Sequence, residues 1–204
     1  MPTSKEQALD GWVSVTEVLD TFIPKQLLGW YLKTGAKEAK RLSTVAMKIG
    51  SRVDRLIQED VTNGSYKMTA KDPIEVKNCM EAWEAFKRDF QPVIKECQVE
   101  VKDEENKVIG HIDIITDRVI DVKCASSIKQ NYWVQVAKYS LMYYFSLEEP
   151  AILRLDKNLA TYEFKKASQA KISLAQCSRV FDGLLEAHRF YNVPKAQEDV
   201  CQTS

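Results

Sequence analysis

The 204-residue sequence predicts a mixed α/β domain of the α+β kind, with a helical front and a central sheet flanked by helices. Three observations carry this. Helix-period patterns fill most of the first 91 residues and close with "IEVKNCMEAWEAFKRDF", just before Pro92. Short β-branched runs follow at 93–101, 108–115 and 119–124, separated by polar turns. Helical and strand patterns then alternate to about Tyr191.

Each element has its own signal. "SVTEVLDTF" places Glu17 three residues after Ser14, a capping-box start for a short helix that Pro24 ends. Residues 26–60 read as mainly helical, with interruptions near Gly35 and Gly50. "VTNGSYKMTAKDP" is a loop, marked by Asn63-Gly64 and Asp72-Pro73. After the three strand runs, "NYWVQVAKYSLMYYF" returns to helix. "AILRLD" and "TYEFKK" read as a hairpin around Asn158, and residues 168–191 as an amphipathic helix. The expectation is one domain over 1–204: a mainly helical part to residue 91, an α/β core over 92–193 and a loose polar tail over 194–204.

The bulk numbers exclude several classes. At 45% hydrophobic residues the chain can build a core, and its zero formal net charge advertises no global basic field. Five scattered cysteines without a C-x-x-C pair argue against a disulfide framework and against a zinc or iron–sulfur clip. No window holds the roughly 18 apolar residues of a membrane span, and the first residues lack a signal-peptide pattern. The expectation is a soluble protein of the cytoplasm, in a bacterial or phage-infected cell.

The unusual feature is charge inside two apolar strands, in "GHIDIITDRVIDVKCA". A turn centred on Glu104 and Glu105 pairs Val101 with Val108 and sets Glu96 opposite Asp113. A turn at "TDR" pairs Ile115 with Val119 and sets Asp113 opposite Asp121. Side chains alternate along a strand, so Glu96, Asp113, Asp121 and Lys123 are expected on one face. Cys97, Val99, Ile112, Ile114, Ile120 and Val122 are expected on the other. Facing like charges destabilise a sheet by up to about 1 kcal/mol, and burial adds to that. A divalent cation held by hard oxygens removes both objections. Lys123 beside it would answer negative charge growing on a phosphate. Gln135 and Tyr139, four apart, share a face of the next helix. That face is expected to point away from the apolar stripe Val134, Ala137, Leu141 and Phe145, so the pair reads as not needed for that core.

"GHID", "IDVK" and "QVAKY", in this order and spacing, resemble the PD-(D/E)xK nuclease superfamily, specifically its RecB-type exonuclease branch with a Q-x-x-x-Y motif. The resemblance covers about a quarter of the chain strongly and extends to "AMKIGSRVDRLIQ", similar to that branch's G-x-x-x-H helix. Here Asp54 stands at the histidine position. It implies a restriction-endonuclease-like core and Mg²⁺- or Mn²⁺-dependent hydrolysis of DNA phosphodiester bonds, in recombination, repair or phage DNA processing. It further implies that Glu96 (or Glu100), Asp113, Asp121 and the Val122 carbonyl hold the cation, with Asp54 a further candidate ligand. Lys123 orients the attacking water, and Gln135 and Tyr139 hold the DNA strand. A structure-specific endonuclease or a non-catalytic DNA-binding module of the same fold are the rival readings. Either a homo-oligomer or a recombination partner protein is compatible with the sequence.

Basic residues gather between Lys25 and Arg55, among them Lys48 and Arg52, with Trp30 and Tyr31 interleaved. This pattern suits a phosphate-tracking surface and equally a solvated helix face. His111 and His188 read as structural, with a phosphate contact open to His111.

Overall fold

The computed structural model describes residues 11–143 and 148–192. Phe145 and the expected tail lie outside the described residues. Ser14 caps the first helix as its pattern requires. Its hydroxyl accepts from the Glu17 amide, and the Ser14 amide donates to the Glu17 carboxylate at 2.8 Å. This helix, α1 (Val15–Asp20), follows a two-residue strand, β1 (Val13–Ser14), too short to leave a periodic signal.

α2 (Lys25–Thr34) and α3 (Ala36–Asn63) are parted by Gly35, whose φ of 81° suits glycine. Gly50 does not interrupt the long helix as expected. A helical glycine costs about 1 kcal/mol against alanine, and the buried stripe Ile49, Val53, Leu56 and Ile57 outweighs that. α4 (Ile74–Phe90) ends where the sequence placed its end.

β3 (Val108–Ile115) and β4 (Val119–Cys124) keep their expected bounds. β2 (Glu96–Asp103) starts and ends later than expected. The turn is the reason. The Asp103 carboxylate accepts from the Asn106 amide and side chain, each at 3.0 Å, and Lys107 closes the turn at φ 47°. Asp103 therefore pairs with Val108 and Val101 with Gly110, and Glu96 falls opposite Ile115 instead of Asp113. The chain continues with α5 (Gln130–Met142), the hairpin β5 (Ala151–Leu155) and β6 (Tyr162–Lys166), and α6 (Leu174–Tyr191). α6 starts behind its Ser173 cap; residues 167–171 are turn, not helix.

The six strands form one mixed sheet, ordered β1-β3-β4-β5-β6, with β2 on the other side of β3. β1–β3 and β4–β5 are parallel; the other pairs are antiparallel. Each face carries a core. On one, Val108, Ile112, Ile115 and Ile152 pack with Val136 of α5 and Phe181 of α6. On the other, Ile114, Ile120, Val122 and Leu153 pack with Leu56 of α3 and Trp83 of α4. α3 and α4 thus supply one of the two layers over the sheet, while α1 joins α5 and α6 on the other.

β3 is shared between two partners on its β4 side. β1 pairs with Val108 and Ile109, and β4 pairs with Ile114 and Ile115. Between these ladders, residues 110–113 face no paired strand on that side. The sheet is split there, and the charged residues gather at the split.

Candidate active site

At the split, a side chain replaces a ladder bond. The Val122 amide donates to Asp113 Oδ2 at 2.7 Å. In an extended strand a residue's N–H and C=O point to the same side, so the Val122 carbonyl faces the same gap. The Ile115–Val119 pairing was expected and is present. Past Ile114–Ile120 the strands part, which leaves room around Asp113 and Asp121.

The expected division of faces holds only in part. Cys97, Ile114, Ile120 and Val122 face α3 and α4, but Val99 and Ile112 pack into the opposite core. Alternation slips on both strands at facing positions. Cys97 pairs with Ile114 and Val99 with Ile112, so the slip falls at Gln98 and Asp113. Gln98 has φ 52°, in the left-handed region. As a result Asp113 lies in a cleft on the α3 side, lined by Asp54, Ile57, Gln58, Cys97, Gln98, Asp113 and Val122.

Three carboxylates and one ammonium meet at the split: Asp54 and Asp113 line the cleft, and Asp121 and Lys123 act on them from beyond its lining. Asp121 is 1% exposed; its Oδ1 accepts from Lys123 Nζ at 2.8 Å, and its Oδ2 has no hydrogen-bond partner. Burial pushes the Asp121 carboxyl up to about 7, with the Asp113 charge adding to it and Lys123 opposing. Burial also raises Asp54 to about 7, and the charges of Asp113 and Asp121 act on it, which puts this α3 side chain in electrical contact with the strand pair. Asp113 is raised by burial, against Lys123, the Val122 amide and the Gln98 side chain. Burial disfavours the Lys123 charge, yet Asp121 and Asp113 hold its ammonium well above the ordinary lysine value. Its Nζ lies 5.4 Å from the centre of the Tyr132 ring.

Gln135 and Tyr139 do not face solvent as expected. They are 8% and 4% exposed, and Gln135 Nε2 donates to the Tyr139 hydroxyl at 3.0 Å. α5 lies between the sheet and α6 and is buried around most of its girth, while Leu141, placed on the apolar stripe, is 59% exposed. The Tyr139 ring rests on Gly110: a Cβ there would collide with Tyr139 Cε1. Residue 110 of "GHID" is thus glycine for a close approach. Burial raises the Tyr139 hydroxyl to about 12, with the charges of Asp121, Lys123 and Asp113 in reach of it. The pair therefore meets the acid cluster from the face opposite Asp54.

Other expected site residues are placed elsewhere. Glu96 is exposed, accepts from the Tyr143 hydroxyl at 3.0 Å and lies outside the cleft. Its shift along β2 is roughly 6–7 Å, two residues at strand rise. Glu100 faces His111 and pairs with Lys102 at 3.1 Å and with His111 at 3.6 Å. Arg52 grips Asp72 with two bonds, 2.9 and 3.0 Å, and the Lys67 carbonyl with a third, so it pins the loop after α3 and is not free for a phosphate. Lys48 is exposed on the same helix. His188 pairs with Thr21 at 3.1 Å, as a structural histidine would. Cys124 is no nucleophile candidate, since a hydrogen bond with Cys79 and burial push its thiol up. Gln98, Gln58 and Tyr132 were missed; the correct register of β2 would have found Gln98.

Among the described residues, no three His, Cys, Asp or Glu side chains form a ready-made metal group. The expected cage with Glu96 is not assembled. What is present still fits a hard divalent cation: a half-buried and a buried aspartate at a strand split, the buried one with an unpartnered oxygen, a backbone carbonyl facing the gap and a third carboxylate in electrostatic reach.

Neither a protein-family model nor a curated protein matches the chain. Among solved structures, a provisionally assigned exonuclease from Eubacterium rectale is similar at a TM-score of 0.52 and 16% identity, over 93% of this chain and 87% of that one. An alkaline exonuclease from Laribacter hongkongensis aligns at a TM-score of 0.44 and 12% identity, over 98% of this chain and 100% of that one. With the Eubacterium rectale structure the chain shares its fold, a central mixed sheet flanked by helices.

Proposed function

We propose that the protein is a divalent-metal-dependent deoxyribonuclease, an exonuclease that hydrolyses phosphodiester bonds in DNA. One observation carries the reading. Asp54, Asp113 and Asp121 are held together at the split with Lys123 as the ammonium that acts on all three, and Asp121 Oδ2 is buried without a hydrogen-bond partner among the described residues. A folded protein tolerates such a deficit of positive charge where a cation from solution fills it. The fold shared with a provisionally assigned exonuclease supports the reading.

Asp113, Asp121 and the Val122 carbonyl would hold Mg²⁺ or Mn²⁺, with Asp54 reaching in from α3. The cation supplies Lewis acidity to a phosphoryl group. The chain supplies the rest. Lys123 offers an ammonium to a phosphate oxygen as negative charge grows there and helps orient the attacking water. Gln135 and Tyr139 close the opposite wall and fix where the strand lies. Lys48 offers a phosphate contact at the rim. A role in recombination, repair or phage DNA processing belongs to this proposal.

The test is digestion of end-labelled linear DNA and closed circular DNA with Mg²⁺, Mn²⁺ or a chelator. The proposal expects metal-dependent loss of the linear form and survival of the circle. Cutting of the circle would identify an endonuclease, and no cleavage with either metal would overturn the enzymatic reading in favour of a DNA-binding module.

A further inference from the structure

We infer that Gln98 is a positioning residue whose left-handed backbone exists to set its side-chain amide on Asp113. This deepens the proposed function, since Asp113 is the residue it serves. Gln98 stands opposite Asp113, bracketed by the Cys97–Ile114 and Val99–Ile112 pairs. Its φ of 52° is a conformation that a non-glycine residue inside a strand rarely adopts. Side-chain alternation slips on both strands at this one pair, which turns Gln98 and Asp113 together into the cleft with Asp54 and Val122. From that facing position the Gln98 side chain shares the cleft with the Asp113 carboxylate and acts to lower its pKa, in the same sense as the Val122 amide, whose bond to Asp113 Oδ2 is 2.7 Å.

The arrangement has a physical logic. A lone carboxylate can rotate about its Cβ–Cγ bond. With the Val122 amide as one donor and the Gln98 amide as a second, the plane of Asp113 is fixed while no cation is bound. Donors behind a metal-ligating carboxylate orient it and tune its affinity. The competing explanation is that the kink serves only the twist of β2 and the Gln98 side chain is a passenger. Glycine separates the two, because it accepts φ 52° freely and carries no amide.

Gln98→Gly and Gln98→Ala are the test, each read by melting temperature, by Val122 amide exchange without metal, and by Mn²⁺ calorimetry. Gln98→Gly should melt at or above the parent, and Gln98→Ala below it. In both, Val122 exchange should quicken while the Val119 and Leu153 amides stay as they were. Mn²⁺ affinity should weaken by about tenfold, the scale seen when a donor behind a ligand is removed. On linear DNA, kcat should fall with KM unchanged. If Gln98→Gly keeps Val122 protection and full Mn²⁺ affinity, the side chain is a passenger and the inference fails. It fails too if Gln98→Gly melts as low as Gln98→Ala, because the backbone conformation would then be no strain that glycine relieves. Val122 exchange needs neither metal nor DNA, so it still decides the role of Gln98 if the parent cuts nothing and the proposed function falls.

Discussion

Two kinds of buried or half-buried carboxylate occur among the described residues, and they are treated in opposite ways. Asp103 accepts from Lys138 at 2.7 Å and from two Asn106 donors, and these bonds overcome burial to hold its carboxyl low. Asp156 accepts from Arg154 at 2.8 Å and from the Asn158 and Leu159 amides, and is likewise held low. Asp60 accepts from Trp83 and Lys87. At the split, Asp113 has one strong donor, Asp121 shares one lysine and leaves an oxygen bare, and all three acids there are pushed up. At Asp60, Asp103 and Asp156, where structure is at stake, the sequence supplies donors. Where it withholds them, the missing charge is expected from outside.

The comparison breaks most visibly under mutation. Asp113→Asn and Asp121→Asn should each lower cleavage on the order of 10³-fold, the scale for losing one electrostatic group at a reacting centre, while the metal-free protein melts no lower than the parent. Asp103→Asn should do the reverse. It strands the Lys138 ammonium, which is 7% exposed, and should cost about 3–5 kcal/mol in denaturant titration with specific cleavage by the folded fraction intact. Equal stability losses in the two sets would erase the distinction.

The next largest effect sharpens the boundary between packing and chemistry on α5. Tyr139→Ala should cost about 3–5 kcal/mol, as a buried aromatic truncation does. Gly110→Ala, which drives a methyl into the Tyr139 ring, should cost about 1–3 kcal/mol. Tyr139→Phe keeps the ring and should melt near the parent. If its hydroxyl holds the strand with Gln135, kcat falls in Tyr139→Phe; parent-like turnover would make the pair purely structural.

A pH series measures the same contrast without any substrate. Asp54 and Asp121 have folded values near 7, above the ordinary carboxyl value of 3.8. Between those limits the folded state binds more protons than the unfolded one, so these groups lower stability as pH rises from about 4 to about 7. Asp103 and Asp156, held low, contribute stability that is lost only as pH falls below the ordinary range. The melting temperature of Asp121→Asn minus that of the metal-free parent should therefore grow from pH 4 to 7, and Mg²⁺ should close that gap at pH 7. A gap independent of pH would contradict the assignment.

The smallest effect concerns two basic residues of α3. Lys48→Ala should weaken DNA binding modestly and reduce the salt slope by about one unit, without a change in melting. Arg52→Ala should lower the melting temperature by releasing the loop that Asp72 anchors, with the salt slope unchanged. The reverse pattern would return Arg52 to the phosphate-binding role first read from the sequence.

Much of the site was legible because its parts are local. Asp113, Asp121 and Lys123 lie in two strands joined by a short turn, and the Ile115–Val119 pairing follows from that turn. The register of β2 was not legible in the same way, since "KDEENK" is polar throughout and any centre fits it. The Asp103–Asn106 pairing that fixes the centre is a three-dimensional fact with only a faint sequence trace, an Asp three residues before an Asn. The burial of Gln135 and Tyr139 was hidden because α5 is covered on two sides, so its apolar residues mark no single stripe. Arg52 and Lys48 look alike in a charge count, and only the return of the Asp72 loop separates them.

The split sheet also bears on the order in which the molecule is made. β2, β3 and β4 are joined by short turns, and such local pairings close fastest. β1 must return from far upstream to meet Val108, and Asp54 must be carried in on α3. Closing those long loops is entropically slower. The hairpins can therefore form while their acids still face water, where repulsion is weak. Asp54 and the α5 wall arrive afterwards, and only the completed fold confines the charges. On this order the hairpins bring Cys97, Gln98, Asp113 and Val122 together first, and the cleft is closed last, when Asp54 arrives.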